Sequence, residues 1–266
     1  MFIELILIII LFLSTGCVGC TGYKSSTESN NCYCIDIIDY YKCKGVCESV
    51  FSPKYNIFTS YEGELSVNTH LPDGFGTVSL DNGDKYYLKW LDGKLVFNSN
   101  SKLTYANGNV YEGYFNIVNN QINYVYGFIG NWKSTMTYFD GSQYKGFWHN
   151  NKRHGDGKMT YILGNEYVGT WNNDKKHGIG QMKFSNNDIY NGIWVDDKIQ
   201  GTGTMVFADG SSYTGNWVDG KRHGFGTMKF SNGSVYKGNW LNGMEHGEGT
   251  YYVYLTWYQP FLIITM

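Results

Sequence analysis

The chain has 266 residues, a formal net charge of −2 and 17% charged side chains. A nucleic-acid-binding surface needs a strong basic excess, so this balance argues against a DNA or RNA partner. Aromatics at 18%, with 34 glycines against 3 prolines, fit a glycine–aromatic β array.

Residues 1–16 hold an apolar run from Leu5 to Leu13. The run is too short for a comfortable transmembrane helix, and it fits the apolar region of a signal peptide or an N-terminal anchor. Ser14 and Gly16 are small and stand ahead of Cys17, where cleavage would fall. Against this, Glu4 sits where a signal peptide carries Lys or Arg, and Ser14 sits where a lipobox prefers Leu. A bacterial lipoprotein therefore ranks below ordinary secretion or an uncleaved anchor. The expected location is membrane-associated or secreted.

Residues 17–60 form a cysteine-containing segment and linker. All six cysteines fall here, at 17, 20, 32, 34, 43 and 47. Disulfides in an exported segment are the natural reading. Zinc is the sharper alternative, but Cys32-x-Cys34 is tighter than the usual ligand spacing. Residues 21–31, TGYKSSTESNN, read as a polar linker.

From residue 61 the chain repeats. Residues 61–143 hold worn units opened by Tyr61, Tyr86 and Tyr111, followed by a truncated one at Phe128-Ile129-Gly130-Asn131-Trp132. Leu88 replaces the expected glycine of the second unit, and Phe115 stands at the tryptophan place of the third. Residues 144–253 hold five regular units on a fixed step of 23 residues, opened by Tyr144, Tyr167, Tyr190, Tyr213 and Tyr236. The first reads YKGFWHNNKRHGDGKM and the fourth YTGNWVDGKRHGFGTM. A period of this size marks a repeat array, in which surface presentation is the usual role and chemistry needs special evidence.

The units stack into columns. Gly146, Gly169, Gly192, Gly215 and Gly238 stand two after each tyrosine. Trp148, Trp171, Trp194, Trp217 and Trp240 stand four after. A Gly-x-Gly-x-Met run follows, as at Gly155, Gly157 and Met159. Both runs have the period of a strand with one aromatic face and one polar face, so each unit predicts a β-hairpin. The glycines have a steric reason, since an aromatic ring can lie over a cross-strand glycine where a larger side chain would clash. The Tyr/Trp/Met stripe is thus read as core and not as a cofactor box.

The phrase Tyr-x-Gly-x-Trp-x-x-x-x-x-His-Gly-x-Gly on a 23-residue step resembles the MORN repeat (membrane occupation and recognition nexus), over about residues 61–253. Ile199-Gln200-Gly201 departs from the usual Lys/Arg-His-Gly. The resemblance implies an all-β fold, an elongated, twisted, single-layer antiparallel sheet of stacked hairpins. It also implies a mostly non-enzymatic role in scaffolding, dimerisation or membrane-associated assembly, with acidic phospholipid as a ligand often proposed for the family.

Candidate sites are few. His154, His177, His223 and His246 share a column, but neighbouring members stand about 10 Å apart, two strand spacings, too far to share one zinc ion. The turns carry Lys152, Arg153, Lys175, Lys176, Lys198, Lys221 and Arg222, against Asp174, Asp196, Asp197, Asp219 and Glu245. Seven cations less five anions make a weak attractor for anionic headgroups, and a solvated face is the simpler reading. No Walker loop, zincin motif or nucleophile elbow is present. Asn232-Gly233-Ser234 is a lone glycosylation sequon in a turn that the repeat itself explains. Residues 254–266 end in WYQPFLIITM, an apolar tail that either caps the last hairpin or pairs with another copy.

These readings predict no enzyme, no cofactor and no metal. The expected function is a scaffold binding a protein partner or a second copy, through its aromatic groove or its ends. The alternative is a peripheral phospholipid-binding module using Lys152, Arg153, Lys175, Lys176, Lys221 and Arg222. A regulatory fragment of a larger MORN-containing enzyme is the remote third.

Overall fold

A computed structural model describes residues 33–37, 40–44, 60–66, 68–69, 71–96, 101–118, 121–124, 134–253 and 262–265. The apolar leader, Cys17, Cys20, Cys32, Cys47, the 21–31 linker and the truncated unit at 128–132 lie outside the described residues. The chain divides into two compact units, residues 1–125 and residues 126–266. Every strand pairing within each is antiparallel.

The first unit contains β1 (Tyr33–Ile37), β2 (Tyr40–Lys44), β3 (Ser60–Leu65), β4 (Pro72–Ser79), β5 (Lys85–Leu91) and β6 (Lys94–Leu95). It continues with β7 (Ser101–Thr104), β8 (Val110–Gly113), β9 (Phe115–Val118) and β10 (Gln121–Tyr124). Strands β1 to β5 pair in chain order. β5 then pairs with both β6 and β7, and β7 with β8. β9 and β10 form a separate hairpin in which Phe115, buried like the tryptophans of the regular units, stands opposite Tyr124. Cys34 stands opposite Cys43 in the β1–β2 register.

The worn units keep the logic of the repeat and show what its loss does. Gly63 faces Gly76, and the Tyr61 hydroxyl donates to the Glu64 carbonyl at 2.7 Å. Leu88 fills the next glycine place and is fully buried. With that space taken, the Tyr86 hydroxyl turns the other way and donates to the buried Asp84 carboxylate at 2.9 Å.

The second unit begins with β11 (Ser134–Thr137) and five hairpins. Their strands are β12 (Gln143–His149), β13 (Lys152–Thr160), β14 (Glu166–Asn172), β15 (Lys175–Lys183) and β16 (Ile189–Val195). Then come β17 (Lys198–Val206), β18 (Ser212–Val218), β19 (Lys221–Lys229), β20 (Val235–Leu241) and β21 (Met244–Val253). Each strand pairs with the next. The tail supplies β22 (Leu262–Thr265), which pairs with β21 and covers the edge of the last hairpin.

Two kinds of turn close this sheet. Within a hairpin, two residues with positive φ make the turn, as at Asn150 (48°) and Asn151 (60°) or Asp219 (50°) and Gly220 (76°). Positive φ at both central positions is the signature of the type I′ turn, whose twist matches that of the strands it joins. Between hairpins the loop is longer. Gly164 N–H donates to the Tyr161 carbonyl at 3.0 Å, and Tyr161 N–H to Asn165 at 2.9 Å. Gly164, at φ 86°, takes the left-handed place of a three-residue loop.

Each hairpin also carries a bulge. In the first, Gly146 faces Gly157 while Trp148 faces Arg153, so the second strand spends two extra residues there. The same shift recurs in the other four. It sets Arg153, Lys176, Ile199, Arg222 and Glu245 against the tryptophan column.

Candidate interaction surface

The aromatic face of the second unit is closed by its own rings. Tyr144, Tyr167, Tyr190 and Tyr213 have no exposed surface, and Trp148, Trp171, Trp194, Trp217 and Trp240 are nearly as buried. Each tyrosine meets two tryptophans edge-on, its own and that of the next hairpin. Tyr144 lies 5.0 Å from Trp148 and 5.4 Å from Trp171, and Tyr213 lies 5.1 Å from Trp217 and 5.2 Å from Trp240. Such T-shaped pairs bring the positive edge of one ring to the negative face of another.

The glycine columns make room for this ladder. A Cβ placed on Gly146 would stand 2.5 Å from the Tyr144 hydroxyl and 2.6 Å from the Gly157 Cα. The same hydroxyl donates to the Phe147 carbonyl at 2.9 Å. Trp171, Trp194 and Trp217 donate their indole N–H to the carbonyls of Gly157, Gly180 and Gly203, at 3.3, 3.3 and 3.1 Å. Burial pushes the Tyr190 phenol up to about 12, with the hydrogen bond to Ile193 opposing it, and burial also raises Tyr61, Tyr144 and Tyr167.

The six basic residues expected on one edge split into two sets. Arg153, Lys176 and Arg222 turn inward over the tryptophans of the next hairpin, at 4.4 Å from Trp171, 5.3 Å from Trp194 and 4.2 Å from Trp240. Arg153 also binds the Asp174 carboxylate at 3.1 Å and its carbonyl at 2.8 Å. Lys176 pairs with Asp197 at 3.2 Å, and Arg222 donates to the Gly243 carbonyl at 2.7 Å. Ile199 takes the corresponding place in the third hairpin, opposite Trp194, and is buried without a charge. Lys152, Lys175 and Lys221 face solvent, Lys175 with Asp196 3.8 Å away.

The opposite face is less polar than alternation predicts. Ile179 and Ile193 stand opposite each other across β15 and β16. Ile179 is 76% exposed and Phe225, two hairpins on, is 62% exposed. Val168 and Val195 are exposed near the isoleucine pair. Exposed lysines Lys145, Lys158, Lys183, Lys229 and Lys237 share this face.

The histidine column follows the bulges. His177 Nδ1 lies 3.6 Å from the Asp196 carboxylate, while His154 packs its ring 5.6 Å from that of His149. Among the described residues, no group of three or more His, Cys, Asp or Glu could hold a metal ion.

Comparison with known families decides the identity of this architecture. The MORN repeat model matches residues 144–162, 167–189, 190–212, 213–235 and 236–252. This chain is a MORN-repeat protein. A solved structure of the SAS-4 (dCPAP) TCP domain in complex with a proline-rich motif of Ana2 (dSTIL), from Drosophila melanogaster, is similar at 14% identity. The match covers 67% of this chain and 83% of that one, with a TM-score of 0.36. No curated protein matches the chain.

In the MORN array the basic turn residues form two adjacent columns in sequence that take opposite faces in space. The signal that separates them is parity. Arg153, Lys176 and Arg222 lie an even number of residues from the buried methionines Met159, Met182 and Met228, and so share their face. The exposed Ile179 and Phe225 are equally visible in the sequence, between the paired glycines of their hairpins, where other units place Asp156, Thr202 and Glu248.

Proposed function

We propose that this chain is a non-enzymatic MORN-repeat scaffold that binds a protein partner or a second copy of itself, in a membrane-associated or exported setting. The observation that carries this reading is the exposure of Ile179 and Phe225 on a sheet face whose other side is already filled by the aromatic ladder. Apolar side chains of this size on an open sheet face favour burial against a partner. The apolar leader supports the setting.

The edge strand adds to the reading. Among the described residues β22 pairs only with β21, and its outer edge carries the uncharged sequence LIIT. An edge without charge, proline or bulge is a ready template for strand addition.

A second reading, peripheral binding to acidic phospholipid, draws on the turn cations. Arg153, Lys176 and Arg222 are engaged with aromatic rings and with oxygens of the chain itself, which leaves Lys152, Lys175 and Lys221 for a headgroup. Three exposed lysines would contribute about 1 kcal/mol each near a charged membrane.

Sedimentation velocity of the full chain over a range of concentrations, beside vesicle flotation, tests the two. Self-association that is weakened by Ile179→Glu or Phe225→Glu supports the scaffold with a second copy as partner. A monomer that floats only with anionic vesicles, and is released by salt, favours the lipid reading and sinks the first.

A further inference from the structure

The aromatic ladder of the second unit ends differently from the way it runs. Through the interior the rungs share two features, the second missing where Ile199 takes the place of the basic residue. A tyrosine hydroxyl donates to a main-chain carbonyl, as Tyr190 does to Ile193 at 3.2 Å and Tyr213 to Asn216 at 3.1 Å. A cation stands over a tryptophan, as Arg153, Lys176 and Arg222 do.

The last hairpin keeps the Tyr236 hydroxyl bond to the Asn239 carbonyl, at 3.2 Å, and Arg222 over Trp240, and it adds a second tyrosine with a carboxylate. Glu245 stands where the other hairpins place Arg153, Lys176 or Arg222, opposite the tryptophan. Tyr251 stands where they place a methionine, opposite Tyr236. The Tyr251 hydroxyl donates to the Glu245 carboxylate. Its ring lies 4.8 Å from Tyr236, which in turn lies 5.4 Å from Trp240. The ring chain from Trp148 to Tyr251 is therefore unbroken, with no step in it longer than the 5.6 Å from Tyr190 to Trp217.

We propose that Tyr251, with Glu245 as its proton acceptor, is the preferred one-electron oxidation site of the second unit, and that the Tyr/Trp ladder delivers oxidising equivalents to it. Tryptophan and tyrosine are the side chains most readily oxidised by one electron in a chain that buries its rings in contact. A positive hole on a ring is disfavoured by a neighbouring cation and favoured by a neighbouring carboxylate, by Coulomb's law. Trp171, Trp194 and Trp240, which lie under Arg153, Lys176 and Arg222, are the poorer resting places. Tyrosine oxidation at neutral pH also requires loss of the phenolic proton. A main-chain carbonyl cannot take it, whereas a carboxylate can.

A diffusible inorganic radical oxidant takes one electron from a ladder ring and becomes its anion. Neighbouring rings refill the hole in turn. In the last transfer Tyr251 gives up an electron as its phenolic proton passes to Glu245, leaving a neutral tyrosyl radical and a protonated carboxyl. Tyr251 is partly exposed, so two such radicals from two chains can couple through ring carbons. The hydrogen on each coupling carbon moves to its own oxygen, and dityrosine forms without further oxidant.

Pulse radiolysis of the full chain with azidyl radical, which oxidises tryptophan first, tests the proposal. Tryptophan radical is expected to decay to tyrosyl radical in a first-order step independent of protein concentration. Tyr251→Phe keeps the ring contacts and should remove more than half of the tyrosyl amplitude. Glu245→Gln should slow the transfer, while Glu248→Gln leaves it unchanged. Dityrosine peptides from the unsubstituted chain should contain Tyr251. Full tyrosyl amplitude in Tyr251→Phe, an unaltered rate in Glu245→Gln, or dityrosine confined to other positions would each overturn it.

Discussion

The guanidinium of Arg222 lies 4.2 Å from the ring centre of Trp240, one hairpin further along the sheet, and donates to the carbonyl of Gly243 in the turn of that same hairpin. One side chain thereby fastens two hairpins. Arg222→Ala removes a partly desolvated cation–π contact and a charged hydrogen bond. The expected loss is about 2–3 kcal/mol of stability, read from the denaturant midpoint. Lys221→Ala, one residue away and facing solvent, should change it by less than about 0.5 kcal/mol.

Gly203 separates a packing requirement from a backbone one. A Cβ there would come within 2.6 Å of the Tyr190 ring, and the ring has no room to retreat. Gly203→Ala should cost about 3 kcal/mol or more, with loss of near-ultraviolet dichroism from the displaced rings. Gly210 has φ 84° but nothing near its Cβ position, so Gly210→Ala should cost only about 1 kcal/mol, from strain in the turn.

Consecutive inter-hairpin loops are linked by Asx side chains. The Asp188 carboxylate accepts from the Ala208 N–H at 2.8 Å, 20 residues away, and from the Asn186 side-chain amide at 2.9 Å. Asp188→Ala should destabilise by about 1–2 kcal/mol and raise amide exchange at Ala208. Asn165 does the same for Ser185, at 2.7 Å, and its alanine variant should behave alike.

High pH should unfold the second unit through its phenols. The Tyr190 pKa is raised to about 12 in the fold, against about 10 in an unfolded chain. A raised folded value means that its contribution is complete below about pH 10 and is lost as pH climbs toward the folded value. Tyrosinate absorbance from the buried ladder phenols should therefore appear together with unfolding, in one cooperative step. Separate titration of those phenols in a folded protein would contradict this.

Low pH should act through Asp209. Its carboxylate accepts from the Ser211 hydroxyl at 2.6 Å and the Ser211 N–H at 2.8 Å, and these bonds, the hydroxyl first, hold its pKa below the usual value. The contribution is present above about pH 4 and fades as pH falls through the folded value. Asp209→Asn should flatten the pH dependence of stability below about pH 4, measured by thermal melts.

The hairpin array could be read directly from Tyr-x-Gly-x-Trp and Gly-x-Gly-x-Met, because a strict period leaves little freedom in register. The glycine columns were legible for the same reason, since only a ring crossing the neighbouring strand requires two of them face to face. The bulge beside Trp148 was not. It arises where the second strand places His154 to Asp156 against a single residue, a length mismatch that side-chain alternation does not record. The bulge adds two residues and so keeps parity, which leaves the inward face of Arg153 legible but not its place opposite Trp148. Leu88 shows the same limit, since its sequence marks a lost glycine but not the move of the Tyr86 hydroxyl onto Asp84.

Every tryptophan between Trp171 and Trp240 serves two tyrosines, the one before it in the chain and the one in its own hairpin. The ring contacts that join one hairpin to the next therefore recur from Trp171 to Trp240. A gene duplication of 23 codons anywhere in this stretch would insert a unit whose two faces already fit its neighbours. Excision of one unit would bring together surfaces that fit equally well. The number of hairpins can then drift in evolution as a whole number, with each intermediate foldable and no compensating substitution required.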